Sequence, residues 1–216
     1  ASDAVLDAPQ FLTVVPGQVL GGYGTVAGGI DFQPGAVLSP GGSVGTLYGT
    51  GGPVYWEGGM HYLFEVNDAT GTAGVSPGWD LFSTTDVLDL TFATAENPVV
   101  IDIASLDVAL SGSAANFDPT FNYAWKFVST GAEVTSFDAS LFSVQSGGFQ
   151  NSTTGNFLVY RGDQIPASLN FNFIQQPTSS DIWIVYTAIP EPGTVVLAVC
   201  GLAALAVGRR WRMRRR

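Results

Sequence analysis

The chain has 216 residues, the size of a single domain, with 46% hydrophobic residues, 27 glycines and a net charge of −10. Six of its eight basic residues fall in the last eight positions, so residues 1–189 set 17 acidic side chains against Lys126 and Arg161, a net of −15. A surface this acidic excludes nucleic acid and anionic membrane as partners, since both are held by clustered Lys and Arg. One cysteine (Cys200) and one histidine (His61) exclude a disulfide framework and a His/Cys zinc site.

The chain opens at Ala1 without an initiating Met, as expected of a protein whose leader has been removed or of the C-terminal part of a longer one. Residues 17–59 hold 15 of the glycines and no Lys or Arg. Apolar beats (Val19-Leu20, Thr25-Val26, Ile30-Asp31-Phe32, Val37-Leu38, Leu47-Tyr48, Val54-Tyr55-Trp56) alternate with Gly or Pro-Gly corners. Glycine supplies the positive φ that a tight corner needs. At about 1 kcal/mol for each glycine in a helix interior, this density excludes a helix. Such corners after strands of three to five residues predict short parallel rungs rather than hairpins, with Val26, Phe32, Leu38 and Leu47 in one apolar stack. The segments LGGYGTV at 20–26, GAVLSPG at 35–41 and GTL at 45–47 resemble the coils of autotransporter-type passenger domains. That resemblance spans about residues 15–66 and implies rungs of a right-handed parallel β-helix.

Beyond Gly59 the predicted strands lengthen and alternate. Met60, Tyr62, Phe64 and Val66 share one face against His61, Leu63 and Glu65. Leu88, Leu90 and Phe92 share another, as do Val99, Ile101 and Ile103, and then Leu106, Val108 and Leu110. Tyr123-Trp125-Phe127, Phe157-Val159, Leu169-Phe171-Phe173 and Ile182-Ile184-Tyr186 follow, with turn clusters at 67–78, 111–116, 146–155 and 175–181. GWDLF at 78–82 and SFDASLF at 136–142 resemble the region that follows such coils in PEP-CTERM proteins. No exact repeat period is readable. The expected fold is all-β: a right-handed parallel β-helix over residues 1–66, a less regular β region over 67–189 that caps it, and a C-terminal segment at 190–216. A cap is expected because a bare last rung exposes core and unpaired edges. The alternative is a β-sandwich, which the second half alone would suit.

Chemistry is sparse. His61 sits in an alternating strand with no G-x-S-x-G elbow to pair with, so a catalytic role is not expected of it. Asn67, Asp68, Thr70 and Asp80 offer oxygens for weak Ca²⁺ binding, but neither an EF-hand nor a nonapeptide spacing, and a solvated Asx turn is the plainer reading. No cofactor and no other metal is expected. Trp79 and Trp125 read as core, whereas Tyr55 and Trp56, between Gly/Pro corners, are the candidate ligand contacts. Arg161-Gly162-Asp163 and the sequon Asn151-Ser152-Thr153 are single short matches that carry no assignment.

The tail reads Pro190, Glu191, Pro192, an apolar run at 194–207, then Arg209, Arg210, Arg212, Arg214, Arg215 and Arg216. The prolines mark a hinge, and arginines that stay on the cytoplasmic side leave the rest of the chain outside. This order of elements resembles the PEP-CTERM sorting signal. The resemblance implies an exosortase-type membrane transpeptidase as partner, one transmembrane helix before processing with its C-terminus cytoplasmic, and a protein at the bacterial cell surface or secreted. The expectation is a non-enzymatic structural or adhesive surface protein. The alternative is a carbohydrate-binding surface module, with extracellular polysaccharide as partner.

Overall fold

In the computed structural model, which describes residues 4–169, 171 and 177–189, the chain is mostly β, with 53% in strands and 5% in helical turns. It makes five passes. The first holds β1 (Val5–Val14) and β2 (Val19–Gly22), the second β3 (Gly24–Phe32) and β4 (Val37–Pro40), and the third β5 (Thr46–Thr50), β6 (Val54–Trp56) and β7 (His61–Val66). After the short β8 (Thr72–Ala73) and β9 (Gly78–Trp79), the fourth pass holds β10 (Leu81–Thr84), β11 (Leu88–Asp89) and β12 (Val99–Asp107). The two-residue β13 (Leu110–Ser111) precedes the fifth, with β14 (Tyr123–Thr130), β15 (Val134–Thr135) and β16 (Phe142–Gly148). Two strands, β17 (Asn156–Arg161) and β18 (Asp181–Thr187), complete the order.

Each pass lies beside the one before it, and the pairing is parallel. In one sheet β1 pairs with β3, the halves of β3 with β5 and β6, and these in turn with β10 and β11, then β14 and β15. In the other sheet β2, β4, β7, β12 and β16 follow one another, all parallel. Within 17–59 every ladder is therefore parallel, as the Gly corners predict; a lone antiparallel bridge joins Gly22 and Gly41. These ladders continue across position 66 without interruption. Apart from the short antiparallel pairs of β7 with β9 and β12 with β13, antiparallel pairing enters at the far end, where β18 lies between β14 and β17 and covers the last pass of the first sheet.

The corners explain why a chain so rich in glycine is ordered. Gln18, Ala36 and Met60 each donate a backbone N–H to the carbonyl three residues back, closing turns around Pro16-Gly17, Pro34-Gly35 and Gly58-Gly59. The second central residue has φ of +79°, +81° and +84°, the region a type II turn requires and glycine enters freely. These turns stack: Gly17 N–H donates to Gly35 O, Gly35 N–H to Gly59 O, and Gly59 N–H to Pro98 O.

Inward residues of all passes meet in one core running from Val14 to Tyr186, and Trp56, Tyr62, Phe64, Phe82, Trp125 and Phe127 form its aromatic centre. Val26, Phe32, Leu38 and Leu47 are all in it, although in separate columns: Phe32 pairs with Val14 and Trp56, Leu38 with Leu20 and Tyr62, and Leu47 with Gly24 and Phe82. Some expected faces are corrected. Phe92 turns outward and is 61% exposed, because the chain leaves the sheet after Asp89. Val108 and Leu110 are 74% and 77% exposed, since β12 ends at Asp107 and the chain reverses there to pair β13 antiparallel. Leu169 lies in a single 3-10 turn, and Phe173 lies outside the described residues. β18 is buried on both faces rather than alternating.

At that reversal Val108 has φ of +59°, a conformation costing a β-branched residue roughly 1–2 kcal/mol. Its side chain buries little, so Val108→Gly is expected to stabilise the fold by about 1 kcal/mol. A urea midpoint unchanged or lowered would contradict this.

Candidate functional site

Tyr55 and Trp56 are neighbours on β6 and therefore face opposite ways. Trp56 points inward and has no exposed surface; its ring meets those of Tyr62, Phe82 and Phe127 at 5.7–6.5 Å. As a ligand contact Trp56 is thus corrected to a core residue. Strand alternation carries the signal: Val54 and Trp56 share the buried face of β6. Tyr55 faces out, with Phe11 at 5.8 Å on one side and Phe92 at 6.3 Å on the other. Phe11 reaches it because its partner is Gly29, where a Cβ would fall 2.4 Å from the Phe11 ring. The three rings form a tilted row that crosses several passes on the outside of the sheet. Asp31 and Asp89 pair with Tyr55 from the adjoining strands and flank it. Glu57 lies nearby, its pKa raised by burial and then by the charge and hydrogen bond of Asp31.

His61 projects from the outer face of β7, where its Nδ1 lies 2.7 Å from Asp102 Oδ2 on the paired strand β12. Both side chains are about two-fifths exposed, and no hydroxyl or thiol of a described residue bonds the other imidazole nitrogen. The pair orients an imidazole without presenting a nucleophile to it.

The loop of oxygens at 67–80 is spent on protein contacts. Asp68 Oδ1 accepts from Thr70 N–H and Oγ1, an Asx turn, and its Oδ2 accepts from Asn116. Asn67 accepts from Gly78 N–H and donates to Ser76 Oγ and Val108 O. Among the described residues no three His, Cys, Asp or Glu side chains converge as metal ligands. Asp80 has no exposed surface: Oδ1 accepts from Gly45 N–H at 2.8 Å and Oδ2 from Glu65 N–H at 2.9 Å, fastening the fourth pass to the third. Burial pushes its pKa up to about 9 against the pull of those two N–H groups.

Arg161 closes the Arg-Gly-Asp tripeptide on itself with a forked bond to Asp163, and the Asn151 amide is bonded both ways to the backbone of Ala114. Pro190, Glu191, Pro192 and Arg209, Arg210, Arg212, Arg214, Arg215 and Arg216 lie outside the described residues. Among the described residues no helix is long and apolar enough to cross a membrane.

Sequence reasoning missed a cleft of about 490 Å³ on the outer side of β14 and β18. Trp79, Tyr123 and Trp183 make its buried floor, Thr70, Thr72 and Asn122 its exposed rim. The floor is fixed by its own bonds: Trp79 Nε1 donates to Lys126 O, and Tyr123 stacks on Phe117 and Trp125. Lys126 Nζ lies 3.6 Å from Asp181 and 5.8 Å from the Trp183 ring centroid. The residues come from four distant stretches, and the bond of Trp79 to Lys126 and the pairing of Lys126 with Trp183 across β14 and β18 help assemble them. No protein-family model, curated protein or solved structure matches the chain.

Proposed function

We propose that this protein is a non-enzymatic structural or adhesive component of a bacterial cell surface or extracellular matrix, built as a right-handed parallel β-helix and sorted by its 190–216 segment. The supporting observation is the parallel register kept through five successive passes over a single core. An antiparallel sandwich has no counterpart to those ladders. Returns between parallel strands of one sheet are right-handed in about 98% of cases, which is the basis for the hand. Stacked passes give extended form, β18 and β17 serve as the cap, and the net −15 of residues 1–189 keeps copies apart until a cation or partner bridges them. The order of Pro190, Glu191 and Pro192, the apolar run and six arginines is the ground for an exosortase-type transpeptidase as processing partner.

The test is attachment of cells with and without the protein across calcium concentrations. Calcium should promote attachment more than monovalent salt at equal ionic strength. Mass spectrometry of the surface-exposed protein should find it cut before Arg216. Unchanged attachment on deletion removes the adhesive role, and intact Arg216 on most molecules removes the sorting role.

A second reading, a carbohydrate-binding surface module, is favoured by the outward-facing row of exposed Phe11, half-buried Tyr55 and exposed Phe92 with carboxylates beside it. Saturable glycan binding lost on Tyr55→Ala is the result it expects.

A further inference from the structure

We propose that the outer ring row of Phe11, Tyr55 and Phe92 takes a cationic amino-sugar oligomer, a chain of glucosamine units with free ammonium groups. The inference rests on the second reading above and narrows its ligand to one charge class. Exposed Phe11 and Phe92 stand on either side of half-buried Tyr55, at 5.8 and 6.3 Å, and offer apolar ring surface to the C–H faces of successive sugars. The backbone under the row is set before a ligand arrives. Phe11 lies over Gly29, Gly58 N–H donates to Phe92 O, and Thr91 N–H donates to Asp89 Oδ1. Little ordering then opposes binding.

Charge selects among sugars. Asp31 and Asp89 flank Tyr55 on the two adjoining strands, and Glu57 stands close enough to Asp31 for their like charges to oppose each other. Among the described residues, Lys126, Arg161 and His61 are set against Asp181, Asp163 and Asp102, so the carboxylates at the row have no basic partner of their own. A cation seated there relieves the repulsion and is drawn in by the net −15 of residues 1–189. The arrangement suits an organic cation rather than a metal ion. Among the described residues no three carboxylates or imidazoles converge on one point, whereas an ammonium beside aromatic faces gains from the rings as well as from the charges. Asp89 keeps Oδ2 for it, since the bond from Thr91 uses Oδ1.

The experiment titrates the full chain by calorimetry with a glucosamine tetramer, with its neutral N-acetylated counterpart and with tetralysine, at about pH 6 where the amines are charged. The glucosamine tetramer should saturate and bind about tenfold tighter than the N-acetylated one, and about tenfold tighter than tetralysine, which has the charge without the sugar face. Tyr55→Ala should weaken it about fivefold and Asp89→Asn about threefold. Asp107→Asn makes the same change of charge at an exposed position of the other sheet and should leave it unchanged. No saturation by the glucosamine tetramer overturns the inference. So does tetralysine binding as tightly, or Asp107→Asn weakening the sugar as much as Asp89→Asn, because either result assigns the attraction to the domain's overall field. A neutral tetramer that binds as tightly or tighter, and is lost with Tyr55→Ala, overturns the charge selection and leaves the second reading standing without it.

Discussion

Trp56→Ala is expected to cost about 3–5 kcal/mol of folding stability, and Tyr55→Ala, one position away, less than about 1 kcal/mol. The difference follows from where β6 sends each ring. Trp56 sits in the middle of the aromatic core, paired with Phe32 on β3 and packed on Tyr62, Phe82 and Phe127. Four separate passes would face the resulting void, and the parallel ladders on either side leave the backbone little freedom to collapse into it. Tyr55 loses only its lateral contacts with Phe11 and Phe92. Trp56→Phe should recover much of the loss: the indole Nε1 is buried with no hydrogen-bond partner among the described residues, so its removal relieves a desolvated donor. Urea unfolding with a constant slope measures all three. A Trp56→Ala midpoint as high as that of Tyr55→Ala would contradict the assigned facing of β6.

Asp80 gives the second large effect, on the dependence of stability on pH. Its folded pKa of about 9 stands far above the ordinary carboxylate value of 3.8, raised by burial. The folded state therefore binds a proton that the unfolded state releases. Stability from this group is fully present below about pH 4, declines as pH rises through neutrality, and is lost by about pH 9. For one proton the slope in that window approaches about 1.4 kcal/mol per pH unit. Asp80→Asn removes the titration, so its stability should be nearly flat from pH 5 to 8 while the parent declines. The amide keeps one oxygen for either Gly45 N–H or Glu65 N–H and turns a donor toward the other, so the variant should be less stable than the parent at pH 5. A parent whose stability rises from pH 5 to 8 would show that the two N–H bonds outweigh burial and hold Asp80 ionised.

Much of the fold was legible because it rests on local rules. Alternation in β7, β12 and β14 named the buried residues, and the Pro-Gly corners named the turns with positive φ. The repeat stayed hidden for a geometric reason. Paired residues of successive passes lie 18 apart at Leu12 and Ile30, 24 at Ile30 and Val54, 34 at Val54 and Leu88, and 46 at Leu88 and Val134. Each pass is longer than the one before, so no fixed period exists to find. Part of the added length lies at 67–80 and 108–122, where Asn67 and Asp68 bond across to Val108, Ala115 and Asn116. Phe92, Val108 and Leu110 were misplaced for a related reason: alternation extrapolated past the last ladder bond predicts a face that no longer exists. The cleft was illegible altogether. None of its residues is unusual in its own stretch, and only contacts between distant stretches, Trp79 with Lys126 and Lys126 with Trp183, bring them to one surface.

The placement of β18 bears on how the domain carries load. This strand leads to the chain's last described residues, and it is bonded along both edges, to β14 and to β17. Tension entering from beyond Thr187 runs along the strand axis, so both ladders resist it together in shear, with their bonds sharing the pull. The first pass is built the opposite way: among the described residues β1 is fastened along one edge, to β3. A force arriving there loads one ladder rather than two. The domain thus has a strong end and a weak end, and the strong one is the end that adjoins the tail.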